Sequence, residues 1–229
     1  MIRFENIGLR YGVGDEVLKD INFRLEPGSY HFLTGPSGAG KTSLMRLMYV
    51  GLKPTRGLIT MFGKNINGMS RGEIGDIRQK LGVVFQEFRL LPHLSVFDNV
   101  ALPLRITNTP EKEIQNNVNE LLEWVGLGEH KDMLPETLSG GQQQRVAIAR
   151  ALAVNPLIIL ADEPTGNLDS KNGDEVMAML RELNREGTTV IVVTHSEKEG
   201  NYADRLVRLL DGQVMVDKAN RVQQTAEVA

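Results

Sequence analysis

Tyr30-His31-Phe32-Leu33-Thr34-Gly35-Pro36-Ser37-Gly38-Ala39-Gly40-Lys41-Thr42 is the stretch that decides the fold. Tyr30 to Thr34 reads as a strand, the glycines as a turn, and a helix is expected to begin near Lys41. The last eight residues match the pattern G-x-x-x-x-G-K-S/T at every fixed position, in the strand–turn–helix setting it requires. Glycines let main-chain N–H groups point inward with no Cβ in the way, and the helix start adds the positive end of a dipole. Such a loop cradles the phosphates of a nucleotide. Lys41 is expected to reach the β- and γ-phosphates as a point charge, and the Thr42 hydroxyl to ligate Mg²⁺. The competing reading, a glycine-rich turn with a fortuitous Lys-Thr, gives no reason for the strand before it and the helix after.

The chain has 229 residues, enough for one large α/β domain or two small ones with a proper core. Hydrophobic residues are 41% and charged residues 24%, a globular balance that argues against disorder. A net charge of -3 without a lysine or arginine block gives a nucleic-acid partner no electrostatic support, and none is expected. Cysteine is absent, which excludes disulfides and thiolate metal sites and fits a reducing compartment. Met1 runs into an expected strand, Ile2 to Ile7, with no basic leader before an apolar stretch, so no secretory signal is expected. Apolar runs such as Leu157 to Ala161 fall far short of the roughly 20 residues that cross a bilayer. The expected location is cytoplasmic.

Outward from the phosphate loop, short β-branched or aromatic runs alternate with helical patterns, as in an α/β architecture. Leu157 to Ala161 and Thr189 to Thr194 are almost wholly apolar, which suits central strands covered on both faces. Between them Val176, Met179, Leu180 and Leu183 recur at helical spacing, and Gly187 supplies a stop. From about Phe88 to Asn155 no buried-strand pattern occurs. There Thr109 as cap, Pro110 in the first turn and Glu111 near the positive end mark a helix start. Ile114, Val118, Leu121, Leu122 and Val125 form its apolar face, and Gly126 and Gly128 close it. A second helix is expected from near Ser139 to about Val154, stopped by Asn155-Pro156. The expectation is an α/β core (residues 1–87 and 156–211) with a small N-terminal antiparallel β region and a mostly helical insertion over 88–155. Residues 212–229 lose apolar periodicity and are expected to fray.

The strand Leu157 to Ala161 leads into Asp162-Glu163. A carboxylate at the end of a buried strand is costly unless a cation compensates it, so Asp162 is assigned to Mg²⁺, directly or through water. Glu163 is then placed to polarise an attacking water as general base. Alone, an Asp-Glu pair is more often a helix cap or a surface turn; behind a phosphate loop the balance reverses. His195 ends the next apolar strand and reads, in this context, as a sensor of the γ-phosphate. Leu138-Ser139-Gly140-Gly141-Gln142 places two glycines at the start of a helix, unfavourable unless close backbone approach is wanted. Ser139 followed by exposed N–H groups makes a second anion site of the same physical type as the phosphate loop. One chain therefore carries two phosphate-shaped features.

The Ser139-Gly140-Gly141-Gln142 run, shortly before the Asp162-Glu163 pair, resembles the signature motif of ABC ATPases. Other positions match one by one. Tyr11 resembles the aromatic residue that stacks on adenine, against the plainer reading of ordinary packing. Gln86 resembles the glutamine that touches Mg²⁺ and water, Asn167-Leu168-Asp169 the loop after the acidic pair, and His195 the switch histidine. The resemblance spans about Ile2 to Asp211 with all motifs in order. It implies a P-loop core of ABC-cassette type, ATP and Mg²⁺ as cofactors, and nucleotide contacts from Gly35 through Ser43. Ser43 follows Thr42 where the family most often has Ser-Thr, and both carry the required hydroxyl.

The resemblance also implies an ATP-dependent head-to-tail homodimer, with ATP between the phosphate loop of one subunit and the signature serine of the other. The helical insertion is, in the family, the part that grips an integral membrane partner, here a separate polypeptide. The start Met1 to Asn6, the run Phe32 to Gly35, Phe85 to Leu91 and Val96 to Leu104 resemble the family's cell-division branch, which implies an ATPase held at the cytoplasmic face of the inner membrane by its partner and controlling cell-wall hydrolysis. The block Asp162 to Asp169 is shared with lipoprotein-releasing and macrolide-exporting ATPases, so that reading stays open. A nucleotide-gated scaffold is a third reading, against which the intact Glu163 and His195 stand.

Overall fold

The computed structural model describes residues 1–195 and 203–219. Its strands are β1 (Ile2–Arg10), β2 (Glu16–Leu25), β3 (Tyr30–Thr34), β4 (Arg56–Met61), β5 (Lys64–Asn65), β6 (Leu81–Val84), β7 (Ile158–Asp162), β8 (Thr189–Val193), β9 (Arg205–Leu210) and β10 (Gln213–Ala219). The α-helices are α1 (Lys41–Met48), α2 (Arg71–Arg78), α3 (Val96–Ile106), α4 (Glu111–Trp124), α5 (Gly140–Leu152) and α6 (Ser170–Arg185).

Two sheets divide the strands. An antiparallel sheet runs β2-β1-β4-β5, and a second sheet runs β10-β9-β3-β8-β7-β6. In the second, β9, β3, β8, β7 and β6 are parallel, and β10 alone is antiparallel. The apolar runs of the sequence are its central strands. Period-two alternation sends their side chains to two separate cores. Leu33, Ile158, Leu160, Ile191 and Val193 pack with α1 and the antiparallel sheet. Phe32, Ile159, Ala161, Val190 and Val192 pack with α6 and the end of α5. Every residue of β3 and β8 is buried, which is why neither strand shows polar alternation.

Helices α3, α4 and α5 enclose a third core of Val100, Leu104, Ile114, Val118, Leu122 and Val146. The segment 88–155 thus contains helices and no strand. Helix α5 belongs to two cores, because Ile148 and Ala151 reach the face of the parallel sheet. It joins the helical layer to the strands that carry the site.

Two sequence expectations are corrected. Thr109 does not cap α4: Pro110 occupies the N-cap without a side-chain bond, and the Thr109 hydroxyl pairs instead with that of Thr107 at 3.0 Å. The segment after Asp211 does not fray as far as 219. Asp211 and Gly212, both with positive φ (47° and 79°), turn the chain back so that β10 pairs with β9. Residues 220–229 of the expected tail lie outside the described residues.

Candidate functional site

The parallel strands all deliver their carboxyl ends to one edge, where open α/β sheets hold ligands. Reading across β3, β8, β7 and β6, the residues that follow are Gly35, Thr194-His195, Glu163 and Phe85-Gln86. Four stretches far apart in sequence are thereby brought together.

The phosphate loop spans Gly35, Pro36, Ser37, Gly38, Ala39 and Gly40 between β3 and α1. Gly40 has φ of 100°, and a Cβ there would lie 2.7 Å from a Leu18 methyl. At Gly35, with φ of 148°, a Cβ would lie 2.2 Å from the Leu209 carbonyl oxygen. Side chains are thus excluded by both conformation and space. Lys41 is almost buried, and its Nζ donates to the carbonyls of Gly35 (2.7 Å) and Pro36 (3.0 Å), folding the ammonium back over the loop. The loop opens on a cavity of about 500 Å³ lined by Ser37, Gly38, Lys41, Thr42, Glu163 and His195 among others.

Glu163 carries positive φ (44°), an uncommon conformation for a residue with a side chain and one that clusters at functional sites. Its N–H donates to Val193 O at 2.8 Å, and its carbonyl accepts from Gly166 N at 3.0 Å. The first bond ties the start of the loop after β7 to the end of β8, and the second turns that loop back on itself. His195 Nδ1 consequently lies 3.4 Å from Glu163 Oε2, with the ring largely exposed to the cavity mouth.

Asp162 is half-buried at the end of β7. Burial first, and the adjacent Glu163 charge second, push its carboxyl above the usual range, opposed by the charges of Arg89, Lys41 and Arg46. A carboxylate so placed gains from a divalent cation. The donors offered, the Thr42 hydroxyl and the Asp162 carboxylate, are hard oxygens of the kind Mg²⁺ takes. Among the described residues no cluster of three His, Cys, Asp or Glu side chains forms a metal cage. Thr42 lines the cavity and Asp162 does not, so a cation held there would bring phosphate and water ligands of its own.

Gln86 is not among the cavity-lining residues. Its side-chain Nε2 donates to Asn167 Oδ1 at 3.3 Å, and Asn167 Nδ2 donates to the Gln86 carbonyl at 2.9 Å. Tyr11 is exposed, and its hydroxyl shares a 3.0 Å hydrogen bond with Ser43 Oγ at the cavity rim. Val17 also lines the cavity, and nothing in the sequence singled it out.

The signature residues stand apart, and none of them lines the cavity. Ser139 is the N-cap of α5 in a reciprocal capping box: its Oγ accepts from Gln142 N (3.3 Å), and Gln142 Oε1 accepts from Ser139 N (2.9 Å). The two glycines differ. A Cβ at Gly141 would lie 2.2 Å from Asn172 Oδ1, so Gly141 lets α5 approach α6. A Cβ at Gly140 would meet nothing nearer than 3.6 Å. Asp169, in the loop after β7, caps α6 by accepting from Asn172 N at 2.9 Å, and that bond holds its carboxyl below the usual range.

A support missed by the sequence reading lies under the phosphate loop. Gly212 N donates to Ala39 O at 3.2 Å, and Gly212 O accepts from Lys19 N at 2.8 Å. The β9–β10 turn thus braces the loop against β2.

Comparison with known proteins agrees with this geometry. The family described as ABC transporter matches residues 18–166. The chain is 43% identical over 219 residues to an uncharacterised ABC transporter ATP-binding protein of Methanocaldococcus jannaschii, covering 94% of this chain and 98% of that one. It is 40% identical over 220 residues to the cell division ATP-binding protein FtsE of Bacillus subtilis, covering 96% of each. It is 42% identical to the macrolide export ATP-binding/permease protein MacB of Bdellovibrio bacteriovorus, covering 95% of this chain and 34% of that protein. Among solved structures, the dimeric ATP-binding cassette MJ0796, in a post-hydrolysis state bound to ADP and Pi, superposes with a TM-score of 0.88 at 38% identity, over 96% of this chain and 98% of that one. Similarity of this extent, over nearly the whole chain and on the same frame, shows that the chain belongs to the ABC transporter family and is one of its ATP-hydrolysing cassettes.

Proposed function

We propose that the chain is the FtsE-type ATPase of a bacterial cell-division complex, acting as a homodimer with an FtsX-type integral membrane partner to control cell-wall hydrolysis. The observation that carries the ATPase is the gathering of Lys41, Thr42, Glu163 and His195 around one cavity. The cell-division role is supported by full-length similarity to FtsE proteins, 40% over 220 residues in Bacillus subtilis and 40% over 224 in Mycobacterium tuberculosis. Among the described residues no helix is long and apolar enough to cross a membrane. In this reading the chain reaches the cytoplasmic face of the inner membrane through its partner.

Hydrolysis follows from the residues present. Main-chain N–H groups of the loop and the start of α1 bind the phosphates, and the Lys41 ammonium turns from its two carbonyls to the β- and γ-phosphates. Thr42, Asp162 and Gln86 would hold Mg²⁺, which would supply charge neutralisation to the phosphates. Glu163 accepts a proton from the water whose oxygen attacks the γ-phosphorus as the bond to the β–γ bridging oxygen breaks. His195, beside Glu163, contacts the γ-phosphate and orients that water. Tyr11 stacks on the adenine. Ser139, Gly140, Gly141 and Gln142 close over the γ-phosphate bound by the other subunit. Gly140, which no contact among the described residues requires to be glycine, supports that role.

The 42% identity to the MacB protein favours a second reading, the ATPase of a macrolide-export or lipoprotein-releasing complex. Every catalytic assignment is common to both. A mild-detergent pull-down of tagged Glu163→Gln protein with ATP separates them. An FtsX-type partner upholds the cell-division role, and an export or lipoprotein-release permease replaces it. Full cellular function of Glu163→Gln would instead favour a nucleotide-gated scaffold.

A further inference from the structure

Arg150 lies near the C-terminal end of α5, the helix that begins at the signature Ser139. Its guanidinium donates to two consecutive carbonyls, Phe88 O from Nη2 at 2.8 Å and Arg89 O from Nη1 at 2.7 Å. Those acceptors sit three and four residues before Pro92, in the segment that follows Gln86. Phe88 and Arg89 both have positive φ, 55° and 51°. Two successive residues with side chains in the left-handed region cost conformational energy and persist only where something outside the segment holds them.

The rest of the segment is braced as well. The Arg89 guanidinium lies 3.9 Å above the Phe85 ring, and Phe85 meets Tyr49 edge-on at 6.3 Å. The outer end of the Phe88 ring reaches the signature, 3.7 Å from where a Gly140 Cβ would stand. Among the described residues no carboxylate forms an ion pair with Arg150, although burial disfavours its charged form. A half-buried cation held by two main-chain carbonyls gives up part of its hydration to fix that stretch of backbone. The expense has a use if the turn it holds must keep one shape.

We propose that Arg150 is a positioning residue for hydrolysis: its fork clamps the strained Phe88–Arg89 turn to the signature helix and thereby fixes the direction in which Gln86 is presented to the reacting phosphate. The inference rests on the proposed role of Gln86 toward Mg²⁺ and water. It adds that the loop carrying Gln86 and the helix carrying Ser139 move as one piece, with Arg150 as the joint.

The test compares full-length wild type with Arg150→Lys, Arg89→Gly, the double variant and Gln86→Ala. Lysine keeps the charge and loses the planar two-carbonyl fork. Arg150→Lys is expected to lower kcat about tenfold, as a misplaced catalytic group does, with ATP affinity within about threefold of wild type. It is also expected to raise the Mg²⁺ concentration needed for half-maximal binding of a non-hydrolysable ATP analogue. Amide exchange over residues 85–90 should quicken while the rest of α5 stays protected. Glycine accepts positive φ without strain, so Arg89→Gly in the Arg150→Lys background should restore most of the lost kcat and slow the exchange again. A uniform fall in kcat, ATP affinity and melting temperature without rescue by Arg89→Gly would make Arg150 merely structural and overturn the proposal. Wild-type behaviour of Arg150→Lys overturns it too. A defective Gln86→Ala beside a normal Arg150→Lys sinks this inference alone, whereas an unchanged Gln86→Ala sinks the role given to Gln86 and the inference with it.

Discussion

Asn167 holds Gln86 from two sides: its Nδ2 donates to the Gln86 carbonyl at 2.9 Å, while its Oδ1 accepts from the Gln86 side chain at 3.3 Å. The loops after β6 and β7 are thereby one unit, although the pair is 81 residues apart in sequence. Asn167→Ala removes both bonds and frees the Gln86 side chain. Losing a net hydrogen bond of about 1 kcal/mol corresponds to roughly a three- to tenfold loss, and it should appear in kcat. Nucleotide affinity should stay within about threefold, because neither residue lines the phosphate cavity. Steady-state kinetics beside equilibrium binding checks this, and a loss confined to affinity contradicts it.

Glu163 is held by main-chain bonds, and its carboxylate adds one 3.4 Å contact to His195 Nδ1, so Glu163→Gln should leave the loop intact. The variant keeps the size of the side chain and removes its basicity. Phosphate release in a single turnover should slow by about a hundredfold or more. Nucleotide should remain bound, and an ATP-closed dimer should accumulate, visible by light scattering. Rapid turnover by this variant would take the general-base role away from Glu163.

Asp162 pits function against stability. Its carboxyl titrates above the usual range in the folded protein because burial penalises the ionised form. An acid whose folded pKa is raised destabilises the fold once pH climbs through that range, and the penalty is complete above the folded value. Asp162→Asn should therefore melt at a higher temperature than wild type at pH 7 without nucleotide or metal. Below about pH 3, where the carboxyl is largely neutral in both states, the gap should close. At pH 7 the same variant should lose the Mg²⁺ dependence of nucleotide binding. Thermal scans across pH, paired with Mg²⁺ titration of analogue binding, separate the two effects.

Gly212 illustrates what the sequence held and what was overlooked. Asp211-Gly212 between Leu209-Leu210 and Val214 is a strong hairpin signal, and both residues take the positive φ that such a turn demands. Apolar periodicity fades after Asp211, but the turn dipeptide carries more structural information than the periodicity does. The central strands were legible because they are short, apolar and bounded by glycines and acids. The site loops were legible because their chemistry admits few residue types. The Gln86–Asn167 pair and the Arg150 clamp were not, since both depend on strand order, and no spacing encodes which strand ends become neighbours. A Cβ at Gly212 would lie 2.2 Å from Val17 O, in the residue whose N–H bonds to Ala39 O. Gly212→Ala should lower the melting temperature and weaken nucleotide binding together. Unchanged ATP affinity would show that the phosphate loop does not need the brace.

The two signature glycines separate folding from assembly. Gly141 is buried with Asn172 against it, so Gly141→Ala should destabilise the isolated chain. Gly140 has room for a methyl group, so Gly140→Ala should leave the melting temperature unchanged and weaken only ATP-driven dimer closure. The same logic applies to Ser139, which is exposed at the start of α5 while no signature residue lines this chain's own cavity. If the signature serves the other subunit, Ser139→Arg should bind nucleotide normally and fail to hydrolyse it, and Lys41→Ala should fail at binding. Mixed together, they form some heterodimers in which an intact phosphate loop of the first faces an intact signature of the second. ATPase activity of the mixture should then rise above that of either protein alone. A site built within one chain predicts no such recovery, because each variant would carry its own defect into every site it forms.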